Sequence, residues 1–300
     1  MPPALQHLSV VGWVEPGALG VNGVLAVLYW GVTSGPLTRI FPDWTPVPAR
    51  QRAAFFAGLA VLYVGFGGPL DVLGDGYLYS AHMAQHLLEA FVAASLLLLG
   101  TPPWLVRPVI RCTPTRLVFD RLTRPLIALS IFTAVMALVV MPPVYTVLEQ
   151  NGTVHFLYHA GVLLAALAYW WAILSPLPER PPAHPGLAML YCTVVSLPMI
   201  GLFVPVLLDT RPYYSYYAAT PRLFGLTQVG DQQLGAGLML AGMHVPTGMA
   251  FVRSFRRWVR EEGAGRVDPL PDIVDGRRTV SRARNPRVAP RCDEGGVPTP

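Results

Sequence analysis

Residues 80–100 read SAHMAQHLLEAFVAASLLLLG. The run is long and apolar enough to be a membrane helix, yet its first half carries His82, His86 and Glu89. Hydrocarbon offers such groups no hydrogen bonds, so something else in the protein must solvate them. On an α-helix, side chains four residues apart stack on one face about 6 Å along the axis, and the i+7 position continues the stripe. All three polar groups therefore share one face. Residues 151–164, NGTVHFLYHAGVLL, repeat the spacing with His155 and His159, again in the opening turns of an apolar block.

Composition places these blocks in a bilayer. Of 300 residues, 53% are hydrophobic and 13% charged, and the apolar residues come in long runs rather than in the amphipathic rhythm of a water-soluble helix. About 20 apolar residues cross a hydrocarbon core as a helix, and such blocks occur at 17–34, 53–70, 80–100, 124–141, 154–174, 187–208 and 231–252. None alternates in the short pattern of barrel strands. The expected fold is an all-α integral membrane protein, a seven-transmembrane-helix bundle. The chain divides into an outer N-terminal segment (1–16), the seven-helix membrane domain (17–255) and a basic, disordered cytoplasmic tail (256–300). The segment before the first block, MPPALQHLSVVGWVEPG, has no basic residue, so a cleavable signal peptide fits poorly and the block is read as a retained helix.

Loop charge orients the bundle. All 22 basic residues are arginines; they crowd into 35–52, 101–124 and the end of the last block, with Arg253, Arg256, Arg257 and Arg260. Stretches 1–16, 68–79 and 142–153 hold none, which sets the N-terminus outside and the C-terminus in the cytoplasm. The third, fifth and seventh helices then begin at the outer face, and both histidine pairs lie at matching depth. The Arg-rich tail is drawn to anionic lipid heads of the bilayer; no folded basic module points to nucleic acid. A bacterial-type plasma membrane, with the chain crossing it many times, is the expected location.

Cys112, Cys192 and Cys292 form no C-x-x-C pair, so a metal would bind through nitrogen, oxygen or thioether. One histidine in a membrane helix is usually a packed, hydrogen-bonded residue. Two pairs at equal depth favour joint action, with His82, His86, His155, His159 and Glu89 as metal ligands. A four-residue step sets both imidazoles of a helix at one level, which argues against two stacked haems, and a di-iron carboxylate site would want more Glu than Glu89 alone. Met83, and Met141 at the end of the fourth block, offer soft sulfur that favours copper, with zinc as the alternative.

A secondary set comprises Asp71, Asp75, Asp231 and His244. Asp71 and Asp75, in GGPLDVLGDGYLYS (67–80), are read as loop-solvating, with cation collection as the alternative. Asp231, in VGDQQLG (229–235), sits where a carboxylate caps the start of the seventh helix. His244 lies thirteen residues further on, beside Pro246, and is expected to satisfy a local backbone group, with a second, transient metal site shared with Met239 and Met243 as the alternative.

The runs SAHMAQHLLEAFVAASLLLLGTPPW (80–104), HFLYHAGVLLAALAYWWAILSP (155–176) and DQQLGAGLML (231–240), in that order, resemble the multi-spanning CtaG family of cytochrome c oxidase assembly factors, linked to caa3-type oxidases. The resemblance covers roughly residues 15–255. His82, His86, His155, His159 and Asp231 match its polar positions, whereas LMLAGMHVPTG (238–248) lacks the family's Trp and gains His244. It implies a non-enzymatic role in respiratory chain biogenesis: binding or relaying copper at the outer side of the membrane to an apo haem-copper oxidase subunit, alone or with another copper chaperone. The alternatives are a zinc-dependent membrane hydrolase using Ser80, and a metal-free scaffold in which the histidines pair with one another.

Overall fold

The computed structural model describes residues 15–263, so residues 1–14 of the expected outer segment and residues 264–300 of the expected tail lie outside the described residues. Within them every regular element is a helix. We number these α1 (Pro16–Ser34), α2 (Ala49–Phe66), α3 (Pro69–Gly76), α4 (Tyr79–Gly100), α5 (Pro103–Arg111), α6 (Thr113–Leu122), α7 (Pro125–Val140), α8 (Pro142–Gln150), α9 (Gly152–Leu174), α10 (Pro185–Leu208) and α11 (Gln228–Gly263). Prolines open α1, α3, α5, α7, α8 and α10, where the missing N–H costs nothing and the fixed φ suits a first turn.

Five helices are long and apolar enough to cross a membrane: α1, α4, α9, α10 and α11. The count reaches seven if two bent pairs each serve as one span, α2 with α3 (43°) and α6 with α7 (72°). The expected block at 53–70 is therefore broken at Gly67 and Gly68, and its second piece, α3, carries both aspartates. The block at 124–141 begins at a sharp turn before Pro125, because a residue preceding proline is held out of the α region. The last helix runs on to Gly263, past the expected tail boundary at 256, with Arg257 and Glu261 paired 2.7 Å apart at the i, i+4 spacing.

Helix α4 is the axis of the bundle. In its spanning window 61% of residues are buried, against 17% for α1, and it packs on α2, α3, α9 and α11. Phe91 of α4, Phe132 and Met136 of α7, Trp170 of α9 and Phe203 of α10 lie in its apolar core with almost no exposure. The helix is not uniform: residues Leu88–Ala93 form a π-helical turn, in which the Ala94 N–H returns to Glu89 O. Such a turn re-spaces the backbone ladder, and Trp170 donates its indole N–H to the Ala90 carbonyl at 2.9 Å.

The two ends of the bundle differ in chemistry. Helices α4, α9 and α11 start at the end that holds the histidines. At the other end, arginines pair with carboxylates of neighbouring segments: Arg111 with Asp43 at 2.8 Å, Arg107 with Glu179 at 2.7 Å, and Arg180 with Asp120. There α4 meets α2 through glycine. A Cβ on Gly100 would stand 2.6 Å from Phe55 Cα, so neither backbone could stay in place. Gly100→Ala is expected to destabilise the bundle by about 1–3 kcal/mol as an overpacked contact, read as a lower melting temperature in detergent; an unchanged melt would contradict this close approach.

Candidate metal centre

Helix α4 owes its start to another helix. Its first free amides, Tyr79 N and Ser80 N, donate to the Asp231 carboxylate at 2.7 and 3.1 Å, and Ser80 Oγ donates to the same group. Asp231 belongs to the first turn of α11, whose own cap is Thr227, accepting from Gly230 N at 3.0 Å. Capping was the expected role of Asp231, but the helix it caps is α4. Gly235, one turn further along α11, lets Tyr79 and Met83 pack against its backbone. Met83 thus lies in the apolar core, turned about 100° from His82. Met141 is half exposed.

Asn151 caps α9, its Oδ1 accepting from Thr153 N and Val154 N at 3.1 Å, and this brings His155 and His159 level with His82 and His86. The rings pair across the helices: His82 and His155 stack with centroids 5.3 Å apart and 15° between planes, His86 and His159 at 4.5 Å and 21°. Within each helix the pair also touches, Nε2 to Nε2, at 2.9 Å for His82 and His86 and 2.8 Å for His155 and His159. The four imidazoles expected to act jointly do form one cluster.

Three carboxylates close around them. Glu89, in the π turn, places Oε2 at 2.9 Å from His159 Nδ1 and 3.7 Å from His86 Nδ1. Glu149, at the end of α8, places Oε1 at 3.0 Å from His82 Nδ1 and 3.9 Å from His155 Nε2. Asp75 of α3 places Oδ2 at 3.9 Å from His155 Nδ1. With Glu89 as a carboxylate acceptor, the His159 hydrogen sits on Nδ1, its Nε2 accepts from His155 Nε2–H, and His155 Nδ1 is left bare toward Asp75. Burial, with the Asp75 carboxylate beside it, pushes the Glu149 carboxyl up to about 9.

Glu89 and Glu149 are almost wholly buried, while the Asp75 side chain is 44% exposed and forms the open edge. Of the described ion pairs, those of Glu89, Glu149 and Asp75 involve histidines only, never arginine. Several buried atoms have no hydrogen-bond partner: Nδ1 of His82 and of His86, both Glu149 oxygens and Asp75 Oδ1. Convergent, unpartnered nitrogen and oxygen atoms on acidic and imidazole groups are what a cation site requires.

Two expectations change here. Asp75 is not merely loop-solvating: α3 carries it into the cluster, with Tyr216 and Tyr217 holding the Asp75 and Gly74 carbonyls. Asp71 stays outside, where its Oδ1 accepts from Gln85 Nε2 at 2.9 Å. The expectation that Glu89 is the sole nearby carboxylate also fails, because Glu149 is brought back by the α8–α9 turn. Its signal in the sequence is slight, a single acid six residues before His155 in a stretch without basic residues. His244 is exposed and remote, its Nδ1 2.5 Å from Leu240 O, the local backbone role expected for it.

Residues 27–261 match the family described as "Cytochrome c oxidase caa3 assembly factor (Caa3_CtaG)". The chain belongs to this family. Among curated proteins, the caa3 assembly-factor chain is 23% identical over 279 residues to the uncharacterized protein Mb0105 of Mycobacterium bovis (strain ATCC BAA-935 / AF2122/97). It is equally similar to the uncharacterized protein MT0111 of Mycobacterium tuberculosis (strain CDC 1551 / Oshkosh). Each alignment takes in 87% of this chain but 41% of the relative, so the chain spans about two fifths of the length of the curated relatives it matches. No solved structure matches.

Removing the cap tests the frame of the site. Asp231→Ala strands two amides and a hydroxyl in a dry interface and is expected to cost about 2–3 kcal/mol, with Asp231→Asn milder because one acceptor remains. Thermal melts of the detergent-solubilised variants give the ranking, and equal melting of wild type and Asp231→Ala would refute the clamp.

Proposed function

We propose that this chain helps mature a haem-copper oxidase in a bacterial plasma membrane, taking up copper at the outer side and passing it to an oxidase subunit docked alongside. Family membership supports the process. The observation that carries the chemistry is the cluster of imidazoles and carboxylates whose buried donor atoms have no hydrogen-bond partner. With Met83 packed in the core, the donors are nitrogen and oxygen only, a set that suits Cu(II) better than Cu(I), with Zn(II) next. The exposed side of Asp75 supplies an open edge, and cargo exchange needs an open position rather than a closed cage.

A zinc-dependent hydrolase is the second reading, favoured by Glu149, a buried carboxyl beside the imidazoles of His82 and His155 that could accept a proton from bound water. The serine weighed for that chemistry is engaged elsewhere, since Ser80 Oγ is bonded to Asp231. Turnover of an acyl substrate with stoichiometric zinc would establish it.

In cells carrying His82→Ala with His86→Ala, the mature oxidase should contain less copper while the variant remains in the membrane at normal abundance, and copper added to the medium should restore part of the loss. Oxidase of normal copper content would end the copper reading and leave a metal-free scaffold.

A further inference from the structure

We infer that the cluster is two adjacent cation sites, an outer one formed by Asp75, His82, Glu149 and His155 and an inner one formed by His86, Glu89 and His159. The inference rests on the copper-binding reading above and specifies its capacity.

The donors separate on distance. A metal with nitrogen or oxygen ligands at about 2.0–2.2 Å can gather only atoms within roughly 4.4 Å of one another. Among the described residues, the sets whose ligand atoms lie within 4.8 Å of each other are Asp75 with His82, Glu149 and His155; His86 with Glu89 and His159; and His82 with His155 and His159. No set holds both Glu89 and Glu149, or both Asp75 and His86. One ion therefore leaves part of the cluster unused, whereas two ions use all seven donors without sharing any.

The unpartnered atoms separate in the same way. His82 Nδ1 and His86 Nδ1 both lack a hydrogen-bond partner, and each has its own carboxylate: Glu149 Oε1 at 3.0 Å for His82, Glu89 Oε2 at 3.7 Å for His86. Their helix positions are four residues apart, about 6 Å along α4, so each orphaned nitrogen defines its own level. The π turn is the local device that makes the inner level, since it bears Glu89 and opens the backbone where that side chain must reach both His86 and His159.

The levels also differ in access. Asp75 leaves the outer set open at one edge, while every member of the inner set is buried. Divalent copper arriving from outside would meet the outer level first and reach the inner level through it.

The test is elemental analysis of the full chain in detergent after loading with Cu(II), or separately Zn(II), and removal of excess. Wild type should hold two ions per chain. Glu89→Gln and Glu149→Gln, close to isosteric, should each lower the number to one, with size-exclusion profiles and melts confirming the fold. Electron paramagnetic resonance of the Cu(II)-loaded wild type needs no variant: two ions one helical turn apart should give a half-field transition. One ion per chain with an isolated-copper signal, lost equally in both variants, overturns the two-site inference and leaves the copper reading intact. No retained ion in wild type removes both.

Discussion

The helix that carries His82, His86 and Glu89 begins on a carboxylate borrowed from α11. Asp231 takes the Tyr79 and Ser80 amides and the Ser80 hydroxyl, so the rotation and height of α4 are set by a group on another span. In an apolar environment the free amides of a helix start have few substitutes, and a charge-assisted cap is correspondingly strong. Gly235 and Gly242 extend the same constraint, since a Cβ at either would collide with Tyr79 or Leu87. With α4 fixed in this way, the face bearing the imidazoles turns toward α8 and α9.

What α4 presents on that face is costly to hold. Glu89 and Glu149 are buried among imidazoles, and Arg107, Arg111 and Arg180 pair with carboxylates at the far end of the bundle. Apolar packing alone would select against such a cluster. Its retention, with several donor atoms unpartnered, is a physical argument for function rather than stability. The π turn and the Trp170 hydrogen bond to Ala90 fit the same logic: an irregular ladder is tolerated where it serves a polar site and where a neighbouring helix satisfies the displaced carbonyl.

Membership of the caa3 assembly factors and the geometry of the cluster bear on different links of the argument. The family speaks to the process. The donor set bears on the proposed chemistry: Met83, which in the sequence suggests a soft, sulfur-assisted copper site, packs in the core, and the clustered donors are nitrogen and oxygen. Met83 is one residue from His82, and on a helix one residue is a rotation of about 100°, enough to send its sulfur into the core.

The sequence by itself determined the apolar spans, the helical class and the two histidine pairs, because hydrophobic run length and the 3.6-residue period are local properties written in consecutive residues. It also determined that Asp231 would serve as a cap, since an acid at a helix start is a local signal, but not which helix it would cap. Glu149 and Asp75 joined the site through the folding back of α8 on α9 and of α3 on α4, and these depend on contacts between segments far apart in the chain. The bend between α2 and α3 and the π turn at Glu89 were likewise decided in three dimensions. Only packing determines whether an apolar block stays straight and where its polar face can find partners.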